Sequence, residues 1–211
     1  MSRPRYTRFL SRAAPFYDPI VRGMGFVRLW RTLAERARAE PGVPCLDVCT
    51  GTGGAALALA GADAGAVVVA VDVADGMLRR AQRKARAAGL STQVRLVRMD
   101  ARQLAFRDAS FPLVTCSMGI HEMSEPERSA VLAELRRVAS DRVLVADYRV
   151  PSSRGRGFLF RALHAFEYLE SDDFSGYTER DMAERLGDAD FEVEAPCDTG
   201  AYRIWPCRVA T

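Results

Sequence analysis

Between Val43 and Tyr148 short apolar runs alternate with stretches of helical periodicity, the pattern of βαβ units whose parallel strands form one sheet covered by helices. The apolar runs predict strands at Cys45–Cys49, Ala66–Asp72, Val94–Asp100, Leu113–Ser117 and Arg142–Tyr148. Apolar positions three and four apart predict helices at Gly53–Ala60, Gly76–Ala88 and Pro126–Val138. Gly89 stands where the second helix needs a left-handed residue to stop. Ser124-Glu125-Pro126-Glu127 is a capping-box pattern for the third, in which serine and glutamate satisfy each other's backbone amides.

The flanks read differently. Arg3 to Glu40 is helical and rich in arginine and aromatic residues. On the far side, Gly157–Leu169 and Thr178–Leu186 read as helices, the latter stopped by Gly187. Phe191–Ala195 and Ala201–Pro206 read as two further strands joined by Pro196–Gly200. The expectation is an α/β fold with a doubly wound, mostly parallel sheet of seven strands, in a single domain over residues 1–211. Residues 1–42 would be a helical cap, 43–150 the core, and 151–211 a substrate lid followed by an antiparallel strand pair.

Composition narrows the class. At 211 residues and 48% hydrophobic content the chain can bury a sizeable core. Its longest apolar stretch, Cys45 to Val71, is broken by Asp47, Gly51 to Gly54 and Asp63, so no membrane span is expected. Met1 to Leu10 carries arginines but no apolar segment of a secretory signal, and the expected location is the cytoplasm. Five cysteines with no Cys-x-x-Cys pair point to reduced thiols in or near strands, and neither a disulfide framework nor a metal site is expected. The net charge of +3 comes almost wholly from arginine, Lys84 being the one lysine, and no aromatic-interleaved basic motif signals nucleic acid.

The candidate chemistry begins at the first strand. Leu46-Asp47-Val48-Cys49-Thr50-Gly51-Thr52-Gly53-Gly54-Ala55-Ala56 runs from strand through a glycine loop into a helix, where backbone can approach a ligand closely. Gly51-x-Gly53-x-x-Ala56 satisfies the dinucleotide fingerprint, and Asp72, nineteen residues past Gly53, is placed to accept hydrogen bonds from ribose hydroxyls. Two cofactors fit that much, a nicotinamide dinucleotide or S-adenosylmethionine. Asp47, just before the loop, suits a cationic methionine amino group and repels a pyrophosphate. Asp100-Ala101 at the end of the third strand, and the final strand pair, favour the sulfonium cofactor as well. A single lysine leaves no Tyr-x-x-x-Lys pair for a short-chain dehydrogenase.

The run Leu46 to Gly53 resembles the first motif of class I S-adenosylmethionine-dependent methyltransferases, and its Thr-Gly-Thr-Gly core is closest to the ubiquinone/menaquinone-biosynthesis C-methyltransferases. Phe16-Tyr17-Asp18, Gly25 and Arg28-Leu29-Trp30-Arg31 are similar to that family's amino-terminal signature, and the likeness extends over roughly Tyr17 to Tyr148. The resemblance implies that Asp47, Gly51 and Gly53 cradle the methionine part, that Asp72 holds the ribose, that Val73 and Met77 flank the adenine and that Asp100 and Ala101 meet its edge. Thr50, Thr52 and Ser117 complete the expected cofactor contacts, with Tyr17 covering the cofactor. Three departures stand against quinone methylation in particular. Gly54 replaces a frequent acid, Pro112 replaces an aspartate, and Ala139-Ser140-Asp141 replaces a proline-glycine-glycine turn. Related phospholipid N-methyltransferases share much of the same pattern.

On the acceptor side, His121 follows the fourth strand at the crevice end of the sheet. It is either a base that takes a proton from the acceptor or a side chain that packs beside the cofactor. Phe158, Leu159, Phe166 and Leu169 form an aromatic and aliphatic stripe that serves either as core or as substrate lid, and Arg154, Arg156, Arg161 and His164 lie beside it. The expected reaction moves a methyl group to a small or lipid-like acceptor and leaves S-adenosylhomocysteine, without a metal. Peripheral membrane contact and a homodimer are compatible with the sequence. A nicotinamide-dependent reductase and a non-catalytic S-adenosylmethionine-binding protein remain the alternative readings.

Overall fold

The computed structural model describes residues 24–62, 66–150 and 172–209. Tyr17, Asp18, the helix expected at 157–169, the arginines at 154, 156 and 161, and His164 lie outside the described residues.

The core alternates as the apolar pattern predicts. Helix α1 (Phe26–Ala37) is followed by β1 (Pro44–Val48), α2 (Gly54–Ala62), β2 (Val67–Asp72), α3 (Asp75–Ala87), β3 (Val94–Arg98), β4 (Phe111–Ser117), α4 (Glu125–Val138) and β5 (Ala139–Tyr148). These five strands pair in parallel, with Leu46 opposite Val69 and Val114, and Cys116 opposite Val145. Four of the five residues of β1 and six of the seven of β4 are buried. Strands covered on both faces read as continuous apolar runs, not as alternating ones, which is why they stood out in the sequence.

Beyond α5 (Asp172–Glu179) and α6 (Met182–Asp188), the chain adds β6 (Phe191–Val193), β7 (Cys197–Thr199) and β8 (Tyr202–Val209). The sheet has eight strands in the order β3-β2-β1-β4-β5-β8-β6, with β7 also on β8. The expected seven is corrected by β7, which falls inside the presumed connection Pro196–Gly200. Strands β6 and β7 both pair antiparallel with β8, Val193 opposite Cys207 and Cys197 opposite Ile204. They are one edge strand interrupted at Glu194–Pro196, where a proline cannot donate to a ladder. Three other boundaries move. The third strand stops at Arg98, so Asp100 lies in the loop beyond it. The helix expected at Thr178–Leu186 is two, restarted by Asp181, whose side chain accepts from the Ala183 amide. Ala139-Ser140-Asp141 is no turn at all but the start of β5, entered directly from α4. The capping box at Ser124 and Glu127 is present.

Candidate active site

The glycine loop lies at the carboxyl end of β1, held by hydrogen bonds on both sides. Cys49, Gly51 and Gly53 take positive φ angles of 57°, 53° and 80°. Asp72, at the end of β2, accepts from the Gly51 amide through Oδ2 and from the Ala74 amide through Oδ1, each at 2.8 Å. Burial pushes the Asp72 carboxyl up, and those same amides pull it back down. The structure therefore joins the loop to the acid expected to hold the ribose.

The glycines divide the work. Among the described residues, a Cβ on Gly51 would meet nothing within 4 Å, whereas one on Gly53 would come within 2.9 Å of Ala81 in α3. Gly53 thus admits α3, and Gly51 leaves the loop's face open. At Gly54 a Cβ would fall 2.4 Å from the Trp30 ring of α1, so the volume of the acid frequent in the quinone enzymes is filled here by an indole. Lys84 crosses the Trp30 ring at 5.9 Å and donates to the Thr52 hydroxyl at 3.2 Å.

Beneath the loop, Asp47 is fully buried, with Oδ1 accepting from Thr115 at 2.7 Å. Its Oδ2 and the buried Thr50 hydroxyl have no hydrogen-bond partner among the described residues. Burial pushes the Asp47 carboxyl up to about 6, against the pull of the neighbouring Thr50 hydroxyl and of the Thr115 hydrogen bond. Among the other expected contacts, Met77, Ala101 and Ser117 are buried and Val73 is exposed. Asp100 does not project alone: Arg102 clasps its carboxylate, with Nη2 donating at 2.6 Å and Nε at 3.0 Å.

The turn after β4 folds against this loop. A Cβ on Gly119 would lie 2.7 Å from the Cβ of Cys49, so only glycine lets the two turns touch. Met118, next to it, holds a positive φ of 56°. One turn of 3-10 helix, Ile120–Glu122, then carries His121. Arg128, buried in α4, braces that turn by donating to the carbonyls of Ile120 at 3.1 Å and His121 at 3.4 Å. Arg128 and the buried Arg185 of α6 share the Glu125 carboxylate. Arg185 also donates to the carbonyls of Gly176 and Tyr177, drawing α5 over the turn.

His121 is 4% exposed, and the rings of Tyr148, Phe174 and Tyr177 meet it edge-on at 4.9, 6.1 and 6.2 Å. Its Nδ1 lies 2.7 Å from Oδ1 of Asp147, and its backbone amide donates to Oδ2 at 3.1 Å. Nε2 faces the half-buried Glu122, 3.9 Å away. Sequence reasoning missed Asp147 and Thr115. The available signal was a lone acid inside Val143-Leu144-Val145-Ala146-Asp147-Tyr148, since a charge in a fully buried strand requires a partner.

The comparisons with known proteins agree with this geometry. The profile of a family described as "Methyltransferase domain" matches residues 45–142. The demethylmenaquinone methyltransferase of Renibacterium salmoninarum is 35% identical over 174 residues, covering 78% of this chain and 69% of that protein. The enzyme of the same name from Thermus thermophilus is 36% identical over 156 residues, covering 72% and 69%. The chain is a class I S-adenosylmethionine-dependent methyltransferase. Its fold is also that of magnesium protoporphyrin IX methyltransferase from Synechocystis PCC 6803 with bound SAH, at a TM-score of 0.69 and 21% identity over 89% of this chain and 84% of that one.

The residues present fit the methyltransferase's cofactor. A buried carboxylate oxygen and a buried hydroxyl, both without partners, sit under an open glycine, and three acids, Asp47, Asp72 and Glu122, gather where a sulfonium and an ammonium must be accommodated. A diphosphate would meet the same three charges unfavourably.

Proposed function

We propose that the methyltransferase acts on a small, lipid-like aromatic hydroxyl compound of the reduced-quinone type, with His121 as the base. The observation that carries this reading is the position of His121: at the crevice end of β4, against the glycine loop, between aromatic rings and two carboxylates. The names of the Renibacterium and Thermus relatives support a quinone-type acceptor.

Bound S-adenosylmethionine supplies an electrophilic methyl group, leaving as S-adenosylhomocysteine. Asp47, Thr50 and Gly51 would hold its methionine part, with Thr52 and Gly53 shaping the loop. Asp72 would receive the ribose, Val73 and Met77 would flank the adenine, and Asp100 with Ala101 would border it. Ser117 would border a remaining side, and Tyr17, outside the described residues, is proposed to cover the cofactor. Nε2 of His121 takes the ring-hydroxyl proton, so that electron density moves to the ring carbon that accepts the methyl. Loss of that carbon's own proton restores the aromatic ring, the ring oxygen regains its proton from the His121 imidazolium, and one proton is released per turnover. Rings around His121 exclude water and hold a flat acceptor in line. The reading places the enzyme in the cytoplasm, meeting its acceptor at a membrane surface as a homodimer. No helix among the described residues is long and apolar enough to cross a membrane. Vesicle flotation and light scattering test these two points.

The test of the base is His121→Asn, assayed with S-[methyl-³H]adenosylmethionine and a reduced demethylquinone. Turnover should fall by about 10²- to 10⁴-fold with affinity for S-adenosylhomocysteine near wild type. Turnover within a few fold of wild type would remove His121 from the mechanism and favour an acceptor that needs no base, such as a neutral amine.

A further inference from the structure

Asp147 is the least expected group in the sheet. It is 0% exposed near the end of a strand whose neighbours Val143 to Ala146 are all fully buried. Removing a carboxylate from water costs several kcal/mol unless a cation or several donors compensate. Its partners among the described residues are three N–H groups: the His121 ring at 2.7 Å, the His121 amide at 3.1 Å and the Tyr148 amide at 2.8 Å. No arginine or lysine among the described residues is in ion-pair contact with it. Two of the three donors belong to one residue, so Asp147 grips His121 by both backbone and ring.

Two consequences follow. With both oxygens receiving N–H donors, the ring proton of neutral His121 belongs on Nδ1, which puts the basic lone pair on Nε2. Among the described residues, the only titratable side chain in hydrogen-bond contact with Asp147 is the imidazole itself. The buried negative charge is therefore compensated fully only when His121 is an imidazolium, the state reached when the acceptor's proton has been taken. Other charged or titratable groups face the imidazole from every side: Glu122 on its own turn, Tyr148 from β5, Tyr177 from α5, and Arg128 from α4 through the His121 carbonyl. None of these four is the group at Nδ1, which is Asp147 at 2.7 Å.

We propose that Asp147 is a positioning residue for methyl transfer, fixing the proton of His121 on Nδ1 and stabilising the imidazolium that proton abstraction creates. This rests on the reading of His121 as the base. Acceptors that lose a proton during transfer depend on it, and acceptors methylated on an already neutral nitrogen do not.

The experiment measures methyl transfer as a function of pH in wild type, Asp147→Asn and His121→Asn, alongside ¹⁵N spectra of the two histidine rings, with His164→Gln used to assign them. In wild type the His121 ring should be protonated at Nδ1 when neutral. Asp147→Asn should bind S-adenosylhomocysteine within about twofold of wild type and lose about 10²- to 10⁴-fold in kcat/KM for the acceptor. Its acidic limb should move to lower pH, because the imidazolium has lost its counter-charge. A merely structural Asp147 would leave the position of that limb unchanged, and this would overturn the proposal. So would a wild-type ring protonated at Nε2, a result that needs no variant to fold. If His121→Asn keeps its turnover, the base reading falls and this proposal with it. If His121→Asn is impaired while Asp147→Asn keeps its rate and pH limb, only the role of Asp147 falls.

Discussion

At the scale of the residue, the proposed role of Asp47 in the cofactor site sets function against stability. Burial lifts its carboxyl from the ordinary 3.8 to about 6. An acid whose folded pKa lies above its unfolded one stabilises the fold while protonated, fully below about pH 4, and that contribution is lost as pH rises through about 6. A shift of roughly two units corresponds to about 2–3 kcal/mol for so fully buried a group. Asp47→Asn should therefore raise the melting temperature of the cofactor-free protein at pH 7.5 by about 5 °C, the gain fading toward pH 4, while weakening affinity for S-adenosylhomocysteine. A gain of equal size at pH 4 and pH 7.5 would mean that ionisation of Asp47 is not its source. Asp47, Asp72 and the loop glycines were legible in the sequence because strand, loop and helix follow one another there without interruption. Thr115 and Asp147 were not, since their partners lie 68 and 26 residues away along the chain and meet them only once strands or turns are assembled.

At the scale of the element, the parallel core could be read almost strand for strand, because burial on both faces leaves unbroken apolar runs between helices. Short pieces escaped: β7 has three residues, too few to show a period, and it is set apart from β6 by a proline that reads as a turn. The helix break before Asp181 was carried by one N-cap side chain. Packing explains a departure that sequence comparison only noted. Trp30 of α1 occupies the space a side chain at position 54 would need, and Phe26, Tyr202 and Tyr148 continue from it as a row of rings, at centroid spacings of 5.6, 4.9 and 5.5 Å, that reaches His121. Gly54→Asp, which restores the acid frequent among the quinone enzymes, should displace the indole and destabilise the protein by about 1–3 kcal/mol in urea unfolding. In a Trp30→Ala background the same substitution should cost much less. Equal costs in the two backgrounds would show that the indole is not what excludes the acid.

At the scale of the molecule, the sheet order puts β1 and β4 side by side, so that the glycine loop and the His121 turn rise from neighbouring carboxyl ends. Glu125 gathers Arg128 and Arg185 to bring α4, α5 and α6 together over that turn. The molecule thus presents an acidic glycine-loop cradle on one side of a seam and the proposed base, walled by aromatic rings, on the other. The acids of this cradle favour the sulfonium cofactor over a dinucleotide. Calorimetric titration of the purified chain with S-adenosylhomocysteine and, separately, with NADH tests this preference most directly. Binding of S-adenosylhomocysteine at about micromolar Kd, near −8 kcal/mol, is expected, with no heat of binding for NADH. Saturable NADH binding with no response to S-adenosylhomocysteine would contradict it.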